Sequence, residues 1–175
     1  MDKQTLKACM PFAKDENIEK FCGPLSLAME KYEINTPRRQ AAFLAQVAHE
    51  SGSLRYVEEI ASGKAYEGRT DLGNTQPGDG VRFKGRGLIQ ITGRANYETL
   101  GHALNYDFIK DPEALEKPGA AALSAGWFWY TRHLNRVADI DGFKRITQKI
   151  NGGINGYVDR VEHWERCKKA LKVVS

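Results

Sequence analysis

Apolar residues along most of this chain recur with the 3.6-residue period of a helix. That spacing predicts short helices over 2–9 and 15–33, broken around Pro11 and Gly23-Pro24. Thr36-Pro37-Arg38-Arg39 opens the next helix, because Thr can cap free backbone N–H groups and Pro fits a first turn. Ala41, Ala42, Phe43, Leu44, Ala45, Val47 and Ala48 then give it a wide apolar face, and Ser51-Gly52-Ser53 ends it. Between Gly63 and Gly87 the texture changes to closely spaced Gly, Asp and Asn, which is turn chemistry. A long irregular loop in a compact domain is usually functional. Period-two alternation in Val81-Arg82-Phe83-Lys84 and again in Leu88–Thr92 predicts a small β-hairpin there.

Helical spacing resumes over 94–104. Asp111-Pro112-Glu113 reads as a capped helix start, and an aromatic-rich helix is expected over 119–133. Asp141 is expected to cap a helix over 142–150. A last helix over 155–172 should place Tyr157, Val161, Trp164 and Leu171 in the core. The reading is mainly α with a small β element. It is a single domain over 1–175, with a 1–35 helical segment packed on a 36–175 core.

Composition narrows the classes. Among 175 residues, 41% are hydrophobic and 27% charged, which excludes wholesale disorder. Lys and Arg number 26 against 22 Asp and Glu, a net of +4. That suits a polyanionic working surface but falls short of a nucleic-acid specialist. The first 35 residues net −1, so the positive charge lies downstream. No apolar run approaches the roughly 20 residues of a membrane span, and no secretory signal is visible at the start. Cys9, Cys22 and Cys167 form no Cys-x-x-Cys pair and read as free thiols of a protein made in a reducing cytoplasm.

Candidate chemistry begins at Glu50. Phe43, Val47 and Glu50 lie at i, i+4 and i+7, so a carboxyl extends the buried stripe where the helix stops. Desolvation disfavours the charged form of a carboxyl, and a carboxyl that keeps its proton at a cleft edge suits general-acid chemistry. The competing reading has Glu50 in solvent or paired with an arginine such as Arg55. Glu58, Glu59 and Glu67 follow. In an unbroken helix Glu59 would face away from Glu50, and the break at Ser51-Gly52-Ser53 removes that obstacle. Two carboxylates about 6.5–9.5 Å apart across a groove would suit inverting glycoside hydrolysis. Zinc is not expected, because Ser53 stands where a His-Glu-x-x-His pair needs its second His. Gly85-Arg86-Gly87 continues into neither a phosphate loop nor a dinucleotide fingerprint.

Four ordered motifs, Ala45–Gly52, Lys84–Thr92, Asn96-Tyr97 and Ile150-Asn151-Gly152-Gly153, resemble the family 19 glycoside hydrolases. That group comprises chitinases and phage cell-wall lysins of lysozyme-like helical fold. The short form, with Tyr66-Glu67-Gly68-Arg69 and Asn74–Gly80, looks most like the phage and prophage endolysin branch. The resemblance implies Glu50 as general acid, Glu59 as the carboxylate that activates water, and Thr92 as the residue orienting that water. Glu67 is the alternative second carboxylate, ranked behind Glu59, its other expected role being an ion pair with Arg69 or Arg86. His49, Gln90, Asn96, Tyr97, Asn151 and Arg160 are implied as substrate-binding residues, Arg160 by supporting the carboxylates. Ser53 departs from the family's usual second Gly.

The leading expectation is therefore an endolysin-type hydrolase of the β-1,4 glycan of peptidoglycan. It would be monomeric, free of metal and organic cofactors, stored in the bacterial cytoplasm and released with holin assistance. A chitinase is the alternative within the same fold. A non-catalytic wall- or nucleic-acid-binding module is the alternative outside it, favoured only by the basic Arg166, Lys168, Lys169 and Lys172.

Overall fold

The structure, a computed structural model, describes residues 1–174. Among them, nine α-helices form: α1 (Lys3–Cys9), α2 (Asp15–Lys31), α3 (Pro37–Glu50), α4 (Asp79–Arg82), α5 (Arg94–Leu104), α6 (Pro118–Thr131), α7 (Leu134–Asp139), α8 (Phe143–Asn151) and α9 (Tyr157–Ala170). Short 3-10 turns occupy Lys64–Tyr66, Thr70–Leu72 and Pro112–Glu116. No helix among the described residues is long and apolar enough to cross a membrane.

Helix α6 carries apolar residues around most of its circumference, and such a helix belongs in an interior. Helix α2 packs along it, with Gly126 letting the Tyr32 ring approach the α6 backbone. Phe43 of α3 meets Trp129 of α6 edge-on at 5.4 Å. Helix α3 lies most extensively on α9, and α1 also packs on α9. The C-terminal end of α3 thus comes to rest beside the start of α9.

Several local expectations need correction. Helix α2 runs through Gly23-Pro24 unbroken. An interior Pro costs about 3 kcal/mol, and burial of Phe21, Cys22, Leu25, Ala28 and Met29 offsets it. The helix expected to reach His133 stops at Thr131. His133 turns left-handed (φ 57°), and α7 follows as a separate element. Neither predicted aspartate cap forms, since Asp111 accepts from the Tyr106 hydroxyl and Asp141 pairs with Arg38. On α9 the deepest residues are Arg160, His163 and Cys167, while Tyr157, Val161, Trp164 and Leu171 are half-buried.

The β-hairpin is also corrected. Val81 and Arg82 belong to α4, and pairing is confined to isolated antiparallel bridges, Glu58 with Arg86 and Arg86 with Ile91. Glu67 explains the helical turn: its carboxylate accepts the backbone N–H groups of Gly78 (2.9 Å) and Gly80 (2.8 Å) at the start of α4. Those bonds hold the Glu67 carboxyl below the usual carboxylate range.

The glycine-rich loop is stapled rather than loose. Buried Asn74 donates to the Tyr66 carbonyl and accepts from the Arg94 N–H. Asp79, 1% exposed, accepts two bonds from the Arg94 guanidinium (2.8 and 2.9 Å). Arg94 holds the Asp79 carboxyl below its ordinary value. A carboxylate depressed in the fold stabilises above its unfolded pKa of about 3.9, and that contribution fades as pH falls through the folded value. Urea unfolding from pH 6 to pH 3 should therefore show wild type losing more stability than Asp79→Asn. Parallel curves would remove Asp79 from the acid response.

Candidate active site

Helix α3 ends where its apolar stripe meets a polar one. Ser51 caps it, its hydroxyl donating to the Val47 carbonyl (2.6 Å) and accepting from the Leu54 N–H (2.9 Å). Gly52, Ser53 and Leu54 then take left-handed conformations in succession, with φ of 58°, 57° and 67°. This turn ends the helical course of the chain directly after Glu50. A non-glycine residue in that region costs roughly 1–2 kcal/mol. Replacing Ser53 with Gly should release that strain at a smaller entropic cost, a net gain of about 0.5–1 kcal/mol. Thermal unfolding of Ser53→Gly would show it as a small rise in Tm, and a fall would contradict the strain.

Glu50 is not in bulk solvent, and it does pair with an arginine, as the competing reading has it, but with Arg160 rather than Arg55. Its side chain is 23% exposed, and Oε1 lies 2.7 Å from Nη2 of Arg160, which is buried. Arg160 Nη1 donates to Gln46 Oε1 (2.6 Å), and Arg160 Nε donates to the Asn155 carbonyl (3.0 Å). Gln46 Nε2 in turn donates to the Thr147 hydroxyl (3.0 Å). A buried polar chain from α8 through α3 to α9 therefore fixes the carboxyl at the end of α3. Arg160 is 1% exposed and meets Glu50 directly, the carboxylate support that the resemblance implies for it, while a direct contact with substrate is not open to it.

His49 secures the same corner. Its Nδ1 lies 2.7 Å from Asp159 Oδ2, and its ring packs against Gly156, whose φ of 70° and bare Cα allow the contact. His163 Nε2 is 3.3 Å from the same Asp159 oxygen. Burial pushes the Asp159 carboxyl up, but its bond to His49 and the His163 charge outweigh that and leave it below its ordinary value. Burial also lowers the His163 imidazole. Asn151, exposed at the end of α8, accepts the Asn155 N–H (3.3 Å) and so shapes the loop that leads into α9.

Glu59 is held by different donors. Its Oε1 accepts the Gly85 N–H (2.8 Å) and its Oε2 accepts the Tyr66 hydroxyl (2.9 Å). Burial, then Glu59 itself, raises the Tyr66 hydroxyl above its usual value, so Tyr66 remains a donor. The Glu59 N–H also donates to the Gly85 carbonyl (2.9 Å). A Cβ at Gly85 would lie 2.7 Å from Gln90 Oε1, so the bare Cα lets the Gln90 side chain lie against this backbone. Gln90 and Thr92 are both half-buried, and the Thr92 carbonyl accepts the Asn96 side-chain amide (2.7 Å).

Behind this segment, Arg86 is 5% exposed and joined to Glu116 (2.9 Å), the Arg82 carbonyl and the Tyr97 hydroxyl. Tyr97 is wholly buried and its hydroxyl also donates to the Lys84 carbonyl. Burial drives that hydroxyl far above its ordinary pKa. Tyr97 is thus a core residue, and its expected place among substrate contacts is corrected. The ion pairs expected for Glu67 are absent as well: Arg69 pairs with Asp71, and Arg86 with Glu116.

The Glu50 carboxyl is therefore set by a buried guanidinium, and the Glu59 carboxyl by a phenol and a backbone amide. A family model described as class I chitinase, glycoside hydrolase family 19, matches residues 28–141. The chain belongs to glycoside hydrolase family 19.

A family 19 domain-containing protein of Haemophilus influenzae is 31% identical over 85% of this chain and 86% of its own length. An endochitinase of Arabidopsis thaliana is 41% identical over 75% of this chain, which spans only 48% of that protein. Chitinase C of Streptomyces griseus superposes with a TM-score of 0.80 at 23% identity, covering 98% of this chain and 76% of its own. A second bacterial family 19 chitinase gives 0.82 at 23% identity, covering 99% and 95%. At that identity the likeness establishes the fold, which is the family's lysozyme-like helical one. The family 19 chain is a glycoside hydrolase.

Residues absent from the sequence reading as functional candidates are Gln46, Thr147, Asp159 and Tyr66. Gln46 carried a signal, being a polar residue inside the Ala41–Ala48 apolar face.

Proposed function

We propose that this glycoside hydrolase cleaves β-1,4 bonds of bacterial peptidoglycan by inverting acid/base catalysis, as an endolysin does. The observation carrying the chemistry is the Thr147–Gln46–Arg160–Glu50 chain, which fixes one carboxyl at the mouth of a turn that leads to a second. Glu50 donates its proton to the glycosidic oxygen as the C–O bond breaks. The charge left on its carboxylate falls against the Arg160 guanidinium, where it is stabilised without reorganisation. Glu59 takes a proton from the water that attacks the anomeric carbon from the opposite face. Tyr66 and the Gly85 N–H keep its carboxylate aimed. Thr92 orients the water, while Gln90, Asn96, Asn151 and His49 face sugar hydroxyls and acetamido groups. The pair resets when Glu59 releases its proton and Glu50 regains one from solvent. Glu67, whose oxygens accept the Gly78 and Gly80 N–H groups, holds the start of α4 and stays the alternative to Glu59 as second carboxylate. The enzyme works as a monomer on wall glycan after release from the cytoplasm.

The net charge of +4 supports an anionic wall as substrate. Chitin is the second reading, favoured by the 41% identity to an Arabidopsis endochitinase. The two polymers share N-acetylglucosamine and differ by a lactyl ether on alternate sugars. Digestion of purified sacculi and of chitin, with mass spectrometry of the new reducing ends, separates them. Muropeptide release with inert chitin supports the proposal, and chitin oligomers with intact sacculi overturn it.

A further inference from the structure

The chain's positive charge is concentrated in one place. Residues 143–172 hold eight Lys and Arg against three Asp and Glu, a net of +5, whereas the remainder nets −1. These residues are α8, α9 and the turns that flank α9. Arg160 is buried against Glu50, and the other seven cations lie outside the core. Helix α8 carries Lys144, Arg145 and Lys149 on its exposed side and no acidic residue. On the second half of α9, Lys168 pairs with Glu165 (2.9 Å), but Lys169 and the following Lys172 are exposed and make no ion pair among the described residues.

The two helices form one surface. Phe143 stacks on Trp164 at 4.4 Å and 4°, laying the start of α8 against the middle of α9, and Lys168 Nζ sits 3.9 Å from the Trp164 ring centre. Beside Trp164 is a concavity of about 590 Å³ lined by Arg166 and Lys169 and by Arg38 and Lys168, the last two paired with Asp141 and Glu165 in the same lining. The end of α8 and the start of α9 flank the Glu50 corner. Lys168 is eight residues beyond Arg160, about 12 Å along the helix axis. The first half of α9 carries exposed Asp159 and Glu162, and among the described residues the unpaired cations of this helix gather at its end, Lys169 and the following Lys172.

We propose that the α8–α9 face binds a linear polyol-phosphate polymer of the cell wall, holding the enzyme on its substrate while the groove works. Unpaired like charges on adjacent turns repel one another, and a chain with one phosphodiester per short repeat removes that repulsion with release of counterions. The exposed side of α8 offers no large apolar side chain, but Ile140, Ile154 and Val158 are exposed beside it, so binding to an anionic bilayer is the outcome the vesicle arm of the test reads. Nucleic acid fits less well, because the Trp164 ring is already engaged by Phe143 and Lys168 and leaves no stacking platform. The source of the polymer rests on the wall-glycan reading above, but binding and cleavage are read separately.

The test uses the full chain and sacculi with the phosphodiester polymer intact or chemically stripped. Co-sedimentation should show at least tenfold tighter binding to intact sacculi at about 50 mM salt, and the difference should collapse near 300 mM. The combined Lys144→Glu, Arg145→Glu, Lys149→Glu variant should lose that preference while cleaving a soluble glycan oligomer at the wild-type rate. If it unfolds, Lys169→Gln with Lys172→Gln should reduce the preference severalfold. Equal binding to both sacculi, full preference in a folded variant, or tighter binding to anionic vesicles or duplex DNA would overturn the proposal. Loss of sacculus cleavage with the preference intact would instead overturn the wall-hydrolase reading and leave this one standing.

Discussion

Glu50→Gln is expected to fold as the wild type does and to lose glycan cleavage by about 10²- to 10⁴-fold, the usual contribution of a positioned general acid. The amide keeps the size of the carboxyl, and its oxygen can still accept from Arg160 Nη2, which now meets Glu50 Oε1 at 2.7 Å. What it lacks is a transferable proton for the leaving oxygen. The deficit corresponds to roughly 3–5 kcal/mol of transition-state stabilisation. Reducing-end release from sacculi measures it, with thermal unfolding alongside to show that the fold is intact. Near-wild-type turnover in a folded variant would take Glu50 out of the reaction.

The second large effect is structural and catalytic together. Arg160→Met removes the donor to Gln46 Oε1, to the Asn155 carbonyl and to Glu50. Breaking a buried ion pair from one side typically costs about 3–5 kcal/mol. Glu50 retains some water contact, so about 2–4 kcal/mol is expected here, a Tm lower by several degrees or more. Turnover should fall as well, because the acid is no longer aimed. Arg160→Lys separates charge from geometry: it restores the cation without the planar fork that reaches three acceptors. Stability between wild type and the Met variant, because acceptors of the fork lose their donor, with poor turnover, is the expected outcome for Lys. Full activity in the Met variant would show that Glu50 does not depend on this network.

The contrast between what the chain disclosed in advance and what it hid has a physical pattern. Helix α3 was readable throughout, because its cap, first-turn proline, apolar face and stop are all local. Thr36 does accept from the Arg39 N–H (3.2 Å), and the left-handed turn begins at Gly52. Arg160 and Tyr97 were harder, since both are buried by partners far away in sequence. A periodicity reading puts an arginine outside, and only Gln46, 114 residues earlier, together with Glu50 explains why this one lies inside. The resemblance carried by Asn96-Tyr97 implies Tyr97 as a substrate contact, yet its hydroxyl is spent on Lys84 and Arg86. The false hairpin came from four alternating residues, Val81–Lys84, too few to outweigh a carboxylate that caps the helical turn there from eleven and thirteen positions away. Helix α7 was missed because six residues carry little periodic signal. Asn135 anchors it by accepting from Trp129 Nε1 (2.8 Å) and donating to the Tyr32 carbonyl (3.1 Å), contacts that no local pattern encodes.

Inverting hydrolysis needs two carboxyl groups acting from opposite faces of one sugar ring, and the anomeric form of the first product reports on that directly. Proton NMR of a soluble β-1,4-linked N-acetylhexosamine oligomer, recorded within minutes of adding enzyme, resolves the new reducing end before it mutarotates. Attack by a Glu59-activated water predicts the α-anomer at the outset, decaying towards equilibrium. An initial product in the β configuration would mean a retained centre, and the Glu50–Glu59 mechanism would be wrong.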